Sequence, residues 1–216
     1  MSGKGRWKLA AGPIQDQDRR HQLMGAALEL FACKGYHSTK ISDVVKAAGV
    51  SQGTFYWYFQ SKEQLVLELI EDGKEKLIHV IEQGYRKHAG TADDMVRSSA
   101  RLLTELFAFA DRNRELMAFL LIKGQGADPP VREAVSQTWI TFEEAFKNNM
   151  LRAVELGMLP RTHDLPLRAS ILVCLITGVL SKWLFGPMHE VDFRSAYSPA
   201  EIAEETAKFE FRGLLG

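Results

Sequence analysis

Apolar side chains recur every three to four residues along almost the whole chain, and no segment alternates as a half-buried strand does. Near the N-terminus this pattern predicts a helix that ends at Gly35, a short helix from Ile41 to Gly49 and another from Ser51 to Phe59. A long fourth helix follows from Lys62 to about His88, with Ser61 placed to cap it. The chain is therefore predicted to be all-α.

Longer and more apolar helices are predicted in the rest of the chain, and glycine and proline residues separate them. They fall at 92–110, 112–123, 131–155, 167–185 and 199–212. The resulting plan is three small N-terminal helices joined, through the long fourth helix, to a larger C-terminal helical bundle, with about nine helices in total.

The third helix carries an unusual surface. On a helical wheel, three aromatic residues share the side that can pack against the first two helices: Phe55, Tyr58 and Phe59. The opposite side carries small, polar and aromatic residues: Gln52, Gly53, Thr54, Tyr56 and Trp57. Such a side is unusual in water but suits contact with DNA, because a glycine lets the backbone approach and amide or hydroxyl groups reach base edges. The alternative is a small helical hairpin whose aromatic residues only fill a core.

The charge distribution agrees with contact between the N-terminal part and nucleic acid. The formal net charge is zero, but residues 1–62 carry nine Lys and Arg against four Asp and Glu, while residues 63–216 carry eighteen against twenty-three. A basic end on an acidic body is expected where that end meets phosphate. Lys4, Arg6 and Lys8 either follow the DNA backbone or minor groove, or belong to a solvated tail.

The N-terminal part closely resembles the DNA-binding domain of the TetR/AcrR family of transcriptional regulators. The resemblance covers GYHSTKISDVVKAAGVSQGTFYWYF at 35–59, followed by Ser61, Lys62, Glu63 and Leu65. It implies a helix-turn-helix whose third helix faces the major groove, with phosphate contacts from Thr39 and Lys62. Trp57 differs from the smaller aromatic or histidine that is usual there, so its contact could be to a thymine methyl or a sugar. The DNA-binding residues that we expect are Thr39, Lys40, Ser51, Gln52, Gly53, Thr54, Tyr56, Trp57, Tyr58 and Lys62.

The same resemblance implies a division of the chain and a function. We expect a flexible basic arm over 1–16, a helix-turn-helix domain over 17–62, and a ligand-binding and dimerisation domain over 63–216. The implied protein is a cytoplasmic, ligand-responsive repressor that binds a palindromic double-stranded DNA operator as a homodimer. A small apolar or amphipathic effector would release it by a population shift.

The C-terminal part independently favours dimerisation. The run 171–180 is apolar nearly all round, so it needs a second covering surface besides its own bundle, unless it is the central helix of a monomer. The expected interface residues are Ile171, Leu175, Gly178, Val179, Lys182, Trp183, Ile202 and Phe209. Because this run is shorter than the roughly 20 residues of a membrane span, no membrane insertion is expected.

Large apolar side chains in the middle of the bundle are candidates for an effector pocket, although any of them can equally be ordinary core. They are Leu103, Phe107, Met117, Leu121, Trp139, Phe142 and Phe146. The sequence has no His-Glu-x-x-His pair, phosphate loop or paired cysteines, so no catalytic residue, metal or cofactor is expected. A helical enzyme and an architectural DNA binder without effector control are the alternatives, and the latter would not need a large apolar bundle.

Overall fold

The computed structural model describes residues 13–84, 88–161, 164–186 and 193–213, and every ordered element in these ranges is helical. Most of the predicted basic arm, with Lys4, Arg6 and Lys8, lies outside the described residues. Ten α-helices, a π-helix and a 3-10 turn follow in the order α1 (Pro13–Lys34), α2 (Ile41–Ala47), α3 (Gln52–Tyr58), α4 (Lys62–Gln83), α5 (Ala92–Arg112), α6 (Arg114–Ala118), the π-helix (Phe119–Lys123), the 3-10 turn (Gly124–Gly126), α7 (Pro129–Glu155), α8 (Leu165–Phe185), α9 (Phe193–Ala196) and α10 (Pro199–Arg212). The all-α prediction is confirmed.

Short-range chemistry fixes the ends of the small helices. Ser51 Oγ accepts a hydrogen bond from the Thr54 N–H at 3.1 Å, and Ser61 Oγ accepts one from the Gln64 N–H at 3.0 Å, so both serines cap their helices as expected. Gly49 has a φ of +66° and makes the turn between α2 and α3, a conformation that costs little for glycine alone.

A continuous apolar core runs from the helix-turn-helix into the bundle, and α4 belongs to both. This helix has 22 residues and is therefore about 33 Å long. Leu65 at its start is fully buried with the first three helices, while Leu77 and Ile81 are buried in the bundle. At Gly73 the helix lies so close to α6 that an added Cβ would stand 2.6 Å from Leu116 Cδ1.

The helix-turn-helix also rests directly on the segment 119–128. The Phe31 ring of α1 lies 5.9 Å from the Phe119 ring of the π-helix. Across the same boundary, His37 Nε2 is 3.0 Å from the Gly126 carbonyl oxygen and 3.8 Å from Asp128 Oδ1. The two parts therefore touch at α4 and at this irregular segment.

Helix α8 is longer than the apolar run that marks it in the sequence. It spans 21 residues, and by length and composition alone it could cross a membrane, which corrects the length argument made from residues 171–180. Its packing is that of a core helix on one side, since Ile176 and Leu180 are fully buried and Trp183 is nearly so. Its other side is exposed.

Candidate nucleic-acid interface and regulatory surfaces

Helix α3 divides into a buried and an exposed side where the wheel predicts. Phe55 and Phe59 are buried with ring centroids 5.7 Å apart, and Tyr58 is half-buried against the same core. Tyr56 is 53% exposed and Trp57 is 78% exposed, the latter the most exposed of the large apolar side chains described. Tyr58 was expected at the DNA, but it is half-buried and packs against the core on the opposite side of the helix from Gly53 and Trp57.

The first turn of α3 leaves its backbone accessible. A Cβ added at Gly53 would meet only Ser51 Oγ, at 3.7 Å, so nothing bulky covers the main chain there. The hydroxyl oxygens of Ser51 and Thr54 lie 2.8 Å apart and share a hydrogen bond, while Gln52 is exposed. The amide of Gln52 is therefore the polar group of this turn that is best placed to reach a partner.

Thr39 does not lie where the expected phosphate contact requires. Its side chain is fully buried, and its hydroxyl donates a hydrogen bond to the Gly35 carbonyl oxygen at 2.9 Å. The side chain holds the turn between α1 and α2, and this corrects its placement among the residues that face DNA.

Lys62 is turned inward as well. Its Nζ donates to the carbonyl oxygens of Tyr36, at 2.7 Å, and of Thr39, at 3.0 Å, and it lies 4.1 Å from the centre of the Tyr36 ring. Burial lowers the pKa of the Lys62 ammonium, and the nearby Asp128 carboxylate partly opposes this. Burial also raises the pKa of the Tyr36 hydroxyl, with smaller contributions from Asp128 and Glu63. The expected phosphate ligand is thus a strut between α4 and the α1–α2 turn.

Two lysines of α2 remain available to phosphate. Lys40, which precedes the helix, is exposed, and its backbone N–H donates to Asp43 Oδ2 at 3.1 Å. Lys46 in the last turn of α2 is also exposed and was not singled out from the sequence. Its position one turn before the break at Gly49 was the available signal, since the first helix of such a motif crosses the DNA backbone.

A second candidate surface lies on α8 and α10. The exposed side of α8 forms a stripe at helical spacing: Leu167, Ile171, Cys174, Gly178 and Lys182. Beside it a groove runs between α8 and α10, lined by apolar side chains that include Leu175, Val179 and Phe209 and also by Glu201 and Glu205. Leu167 and Ile171 are each 60% exposed.

Two expected interface residues belong to the protomer's own core. The Trp183 side chain is 3% exposed, its ring lies 5.8 Å from that of Phe107, and its Nε1–H donates to the Tyr197 carbonyl oxygen at 3.2 Å. Ile202 touches the floor of the groove but is only 6% exposed. Both are corrected, because α8 and α10 each carry apolar residues on the side that packs against the protomer's own core as well as on the exposed side.

The expected effector pocket is largely filled. Leu103, Phe107, Met117 and Phe142 are fully buried, and the rings of Phe142 and Phe146 are 5.1 Å apart. Trp139, half-buried, donates its Nε1–H to the Leu120 carbonyl oxygen at 3.2 Å, and the neighbouring Leu121 is half-buried against the core. These side chains therefore pack as core in this conformation.

A small opening of about 40 Å³, room for a few water molecules, lies beside this core, among α5, α7, α8 and α10. Phe146 is the candidate that reaches it, together with apolar residues such as Leu102, Met150 and Leu172. Polar groups line one part, and among them Asn149 Oδ1 is buried without a hydrogen-bond partner in the described part of the chain. Among the same described residues, no three His, Cys, Asp or Glu side chains are grouped to hold a metal ion.

Comparison with known proteins agrees with this arrangement. The family described as bacterial regulatory proteins, tetR family, matches residues 23–69. The HTH-type transcriptional regulator AcrR of Shigella flexneri is 27% identical over 173 residues, which is 79% of this chain and 80% of that protein. The uncharacterized HTH-type transcriptional regulator YdgC of Bacillus subtilis is 25% identical over 198 residues, 92% of this chain and 93% of its own length.

Solved structures share the fold over nearly the whole chain. The fatty acid degradation regulator FadR of Bacillus halodurans has a TM-score of 0.76 at 18% identity, over 95% of this chain and 98% of that one. FadR of Bacillus subtilis, in complex with stearoyl-CoA, has a TM-score of 0.73 at 18% identity, over 90% and 98%. With the helix-turn-helix and its exposed third helix, these findings show that residues 23–69 form a DNA-binding domain of the tetR family, and that most of the chain is similar to transcriptional regulators of the TetR/AcrR type.

Proposed function

We propose that this regulator is a repressor that binds a palindromic operator as a homodimer and leaves it when a small apolar or amphipathic effector binds. The observation that carries the proposal is the exposed side of α3, where Gln52, Gly53, Tyr56 and Trp57 form an uncharged surface without bulk over the backbone. Such a surface can enter the major groove because Gly53 lets the backbone approach closely and the amide of Gln52 can reach base edges. We assign DNA reading to residues 17–62 and regulation to residues 63–216.

Phosphate contacts are expected around this surface. Lys40 and Lys46 are exposed cations on α2, and the Tyr56 hydroxyl lies on the exposed side of α3. Contacts of this kind position a protein on DNA without reading its sequence. Replacing Tyr56 should therefore weaken binding to all sequences, whereas replacing Gln52 should relax the preference at one base pair.

The groove between α8 and α10, with the adjoining stripe of α8, is the surface that we assign to a second copy. Leu167, Ile171 and Phe209 would leave water there, and the exposed Gly178 would allow close approach of the partner helix. A two-fold dimer reads two half-sites that lie about 34–36 Å apart, or a multiple of that distance. An operator with two-fold symmetry follows.

The effector is proposed to bind beside Phe146, where the small opening is lined by apolar groups and a few polar ones and would have to widen to hold it. One relative is named fatty acid metabolism regulator protein, from Bacillus subtilis, and the FadR structure is a complex with stearoyl-CoA, an amphipathic molecule; both support an effector of this class. An effector there would contact α7, which packs on α4, and α4 also packs against the helix-turn-helix. A regulator of this kind acts in the cytoplasm, where the operator lies.

The DNA-binding proposal is tested by fluorescence anisotropy with labelled DNA from beside the protein's own gene, at several salt concentrations. Sequence-specific, salt-sensitive binding should appear, and it should be lost when Gln52, Gly53, Thr54 and Tyr56 are replaced together. Gln137→Ala, which removes an exposed amide from α7, is the matched control and should bind normally. Specific binding that survives the combined replacement contradicts the proposal, and binding without sequence preference favours an architectural protein.

Sedimentation tests the dimer and titration tests the effector. Ile171→Asp should give a monomer that binds the operator weakly, while Ile140→Asp, at an equally exposed isoleucine of α7, should remain dimeric. Stearoyl-CoA, oleate and a cationic amphiphile are suitable probes, and at least one should dissociate the DNA complex. A wild-type chain that stays monomeric on DNA overturns the dimer.

A further inference from the structure

The side chains that α3 offers to DNA carry no charge. The helix has the sequence QGTFYWY, without an acidic or a basic residue. Of its two short polar side chains, Thr54 is tied to Ser51 through its hydroxyl, and Gln52 is exposed. The rest of the exposed side is Gly53 and two aromatic residues, Tyr56 and Trp57. We call these two aromatic residues the aromatic ridge.

This set of groups discriminates among base pairs. In the major groove guanine presents two acceptors, which Arg or Lys bind, and cytosine presents a donor, which Asp or Glu bind. Helix α3 supplies neither kind of residue. Adenine presents one acceptor and one donor, which match the amide of Gln52, and thymine presents a methyl group, which matches an apolar ring.

The spacing along α3 allows both contacts at once. Gln52 and Trp57 are five residues apart, which is about 7.5 Å along a helix and about 140° around it. Gly53 and Tyr56 lie between them on the wheel, so the whole exposed side spans one continuous sector. A rise of about 7.5 Å corresponds to roughly two base-pair steps of 3.4 Å.

We propose that the base pairs read by α3 are A·T pairs, with adenine bound by the Gln52 amide and, about two steps away, a thymine methyl covered by the aromatic ridge. The inference rests on the proposed DNA-binding function and adds to it the class of half-site. The exposed Lys40 and Lys46 then contribute affinity through phosphates and leave the base preference to α3.

The test begins with an operator obtained by selection from random DNA, followed by every single-base substitution within one half-site. A·T pairs should be required at two positions about two steps apart, each with a loss of about 5- to 150-fold on replacement by G·C. Gln52→Ala should flatten the preference at the adenine position alone. Deoxyuridine in place of the contacted thymine removes only its methyl group and should weaken binding about fourfold.

The contribution of the aromatic ridge is tested by measuring, in variants, how much deoxyuridine weakens binding. Trp57→Ser should abolish that effect, because the two-step spacing from Gln52 places Trp57 over the methyl group, whereas Lys40→Met, a control that removes an exposed cation outside α3, should weaken binding to all sequences equally and keep the effect. If the wild type binds no DNA specifically, the proposed function fails. If it binds an operator with G·C pairs at the positions that Gln52 and the ridge contact, or ignores the thymine methyl with every variant folded, only this inference fails.

Discussion

Replacing Lys62 by methionine removes the ammonium group that ties the start of α4 to the turn between α1 and α2. In the wild type this group donates to two carbonyl oxygens, of Tyr36 and Thr39, and lies over the Tyr36 ring. Methionine has a similar length and no charge, so the stem still packs while both hydrogen bonds disappear. The change therefore isolates the contribution of the ammonium group to the free energy of unfolding.

The magnitude follows from these contacts. Hydrogen bonds from a charged donor contribute about 1.5–3 kcal/mol each, but water can reach this half-buried site and replace part of them. Methionine also avoids the cost of burying the ammonium, a cost that the lowered pKa of Lys62 indicates. We expect a net loss of about 2 kcal/mol, which is roughly 4–8 °C in Tm for a chain of this size.

Two measurements distinguish a structural role of Lys62 from a contact between Lys62 and phosphate. Lys62→Met should lower the Tm by the expected amount and leave the salt dependence of operator binding unchanged. Lys40→Met should leave the Tm unchanged and reduce the slope of log K against log salt by about 0.9 for each protomer on the DNA. A Lys62→Met protein with an unchanged Tm and a slope reduced in this way would refute the reasoning from the structure.

Three further changes have defined outcomes. Gly49→Ala places a side chain at a φ of +66° and should cost about 1–2 kcal/mol in thermal unfolding, while Gly25→Ala, at an open and exposed position of α1, should stabilise by up to about 1 kcal/mol. Ser51→Ala should cost about 1 kcal/mol and weaken DNA binding, because α3 loses its cap. The pKa of Asp94 should be about 2 by NMR titration, since the backbone N–H and hydroxyl of Thr91 donate to it. Its stabilising contribution is then complete above the ordinary value of 3.8 and is lost as the pH falls through 2, and Thr91→Val should raise the pKa only part of the way.

Local patterns were sufficient wherever a residue's role depends on its neighbours in sequence. The caps at Ser51 and Ser61, and the burial of Phe55 and Phe59, follow from spacing alone, and the structure has them. The inward turn of Lys62 depends on a carbonyl group 26 residues earlier in the chain. Periodicity carries no information about such a contact, and the expectation that Lys62 reaches phosphate rested on the family resemblance alone.

Prediction from periodicity has the same limit for the apolar stretches of the bundle. Both sides of α8 are apolar, so the pattern could not separate Trp183, which is buried under Tyr197, from Ile171, which is exposed. Nor does composition distinguish a ring that lines a cavity from one that fills it. Phe142 and Phe146 stand one helical turn apart on α7, yet of the two only Phe146 lines the small opening.

Under the proposed function, the segment 119–128 connects the effector site to the helix-turn-helix. Trp139 of α7 donates to the Leu120 carbonyl oxygen of the π-helix, and Phe119 of the same π-helix packs on Phe31 of α1. A π-helix holds its backbone in a less favourable hydrogen-bond pattern than an α-helix, so a small movement of α7 can change its register at modest cost. Because the opening beside Phe146 is also lined by α7, an effector there would act on the helix that holds this segment in place. Movement of α7 would then be passed to the helix-turn-helix by the contact with Phe31 as well as by α4. The effector response should therefore depend on Trp139 even without a contact between Trp139 and the effector.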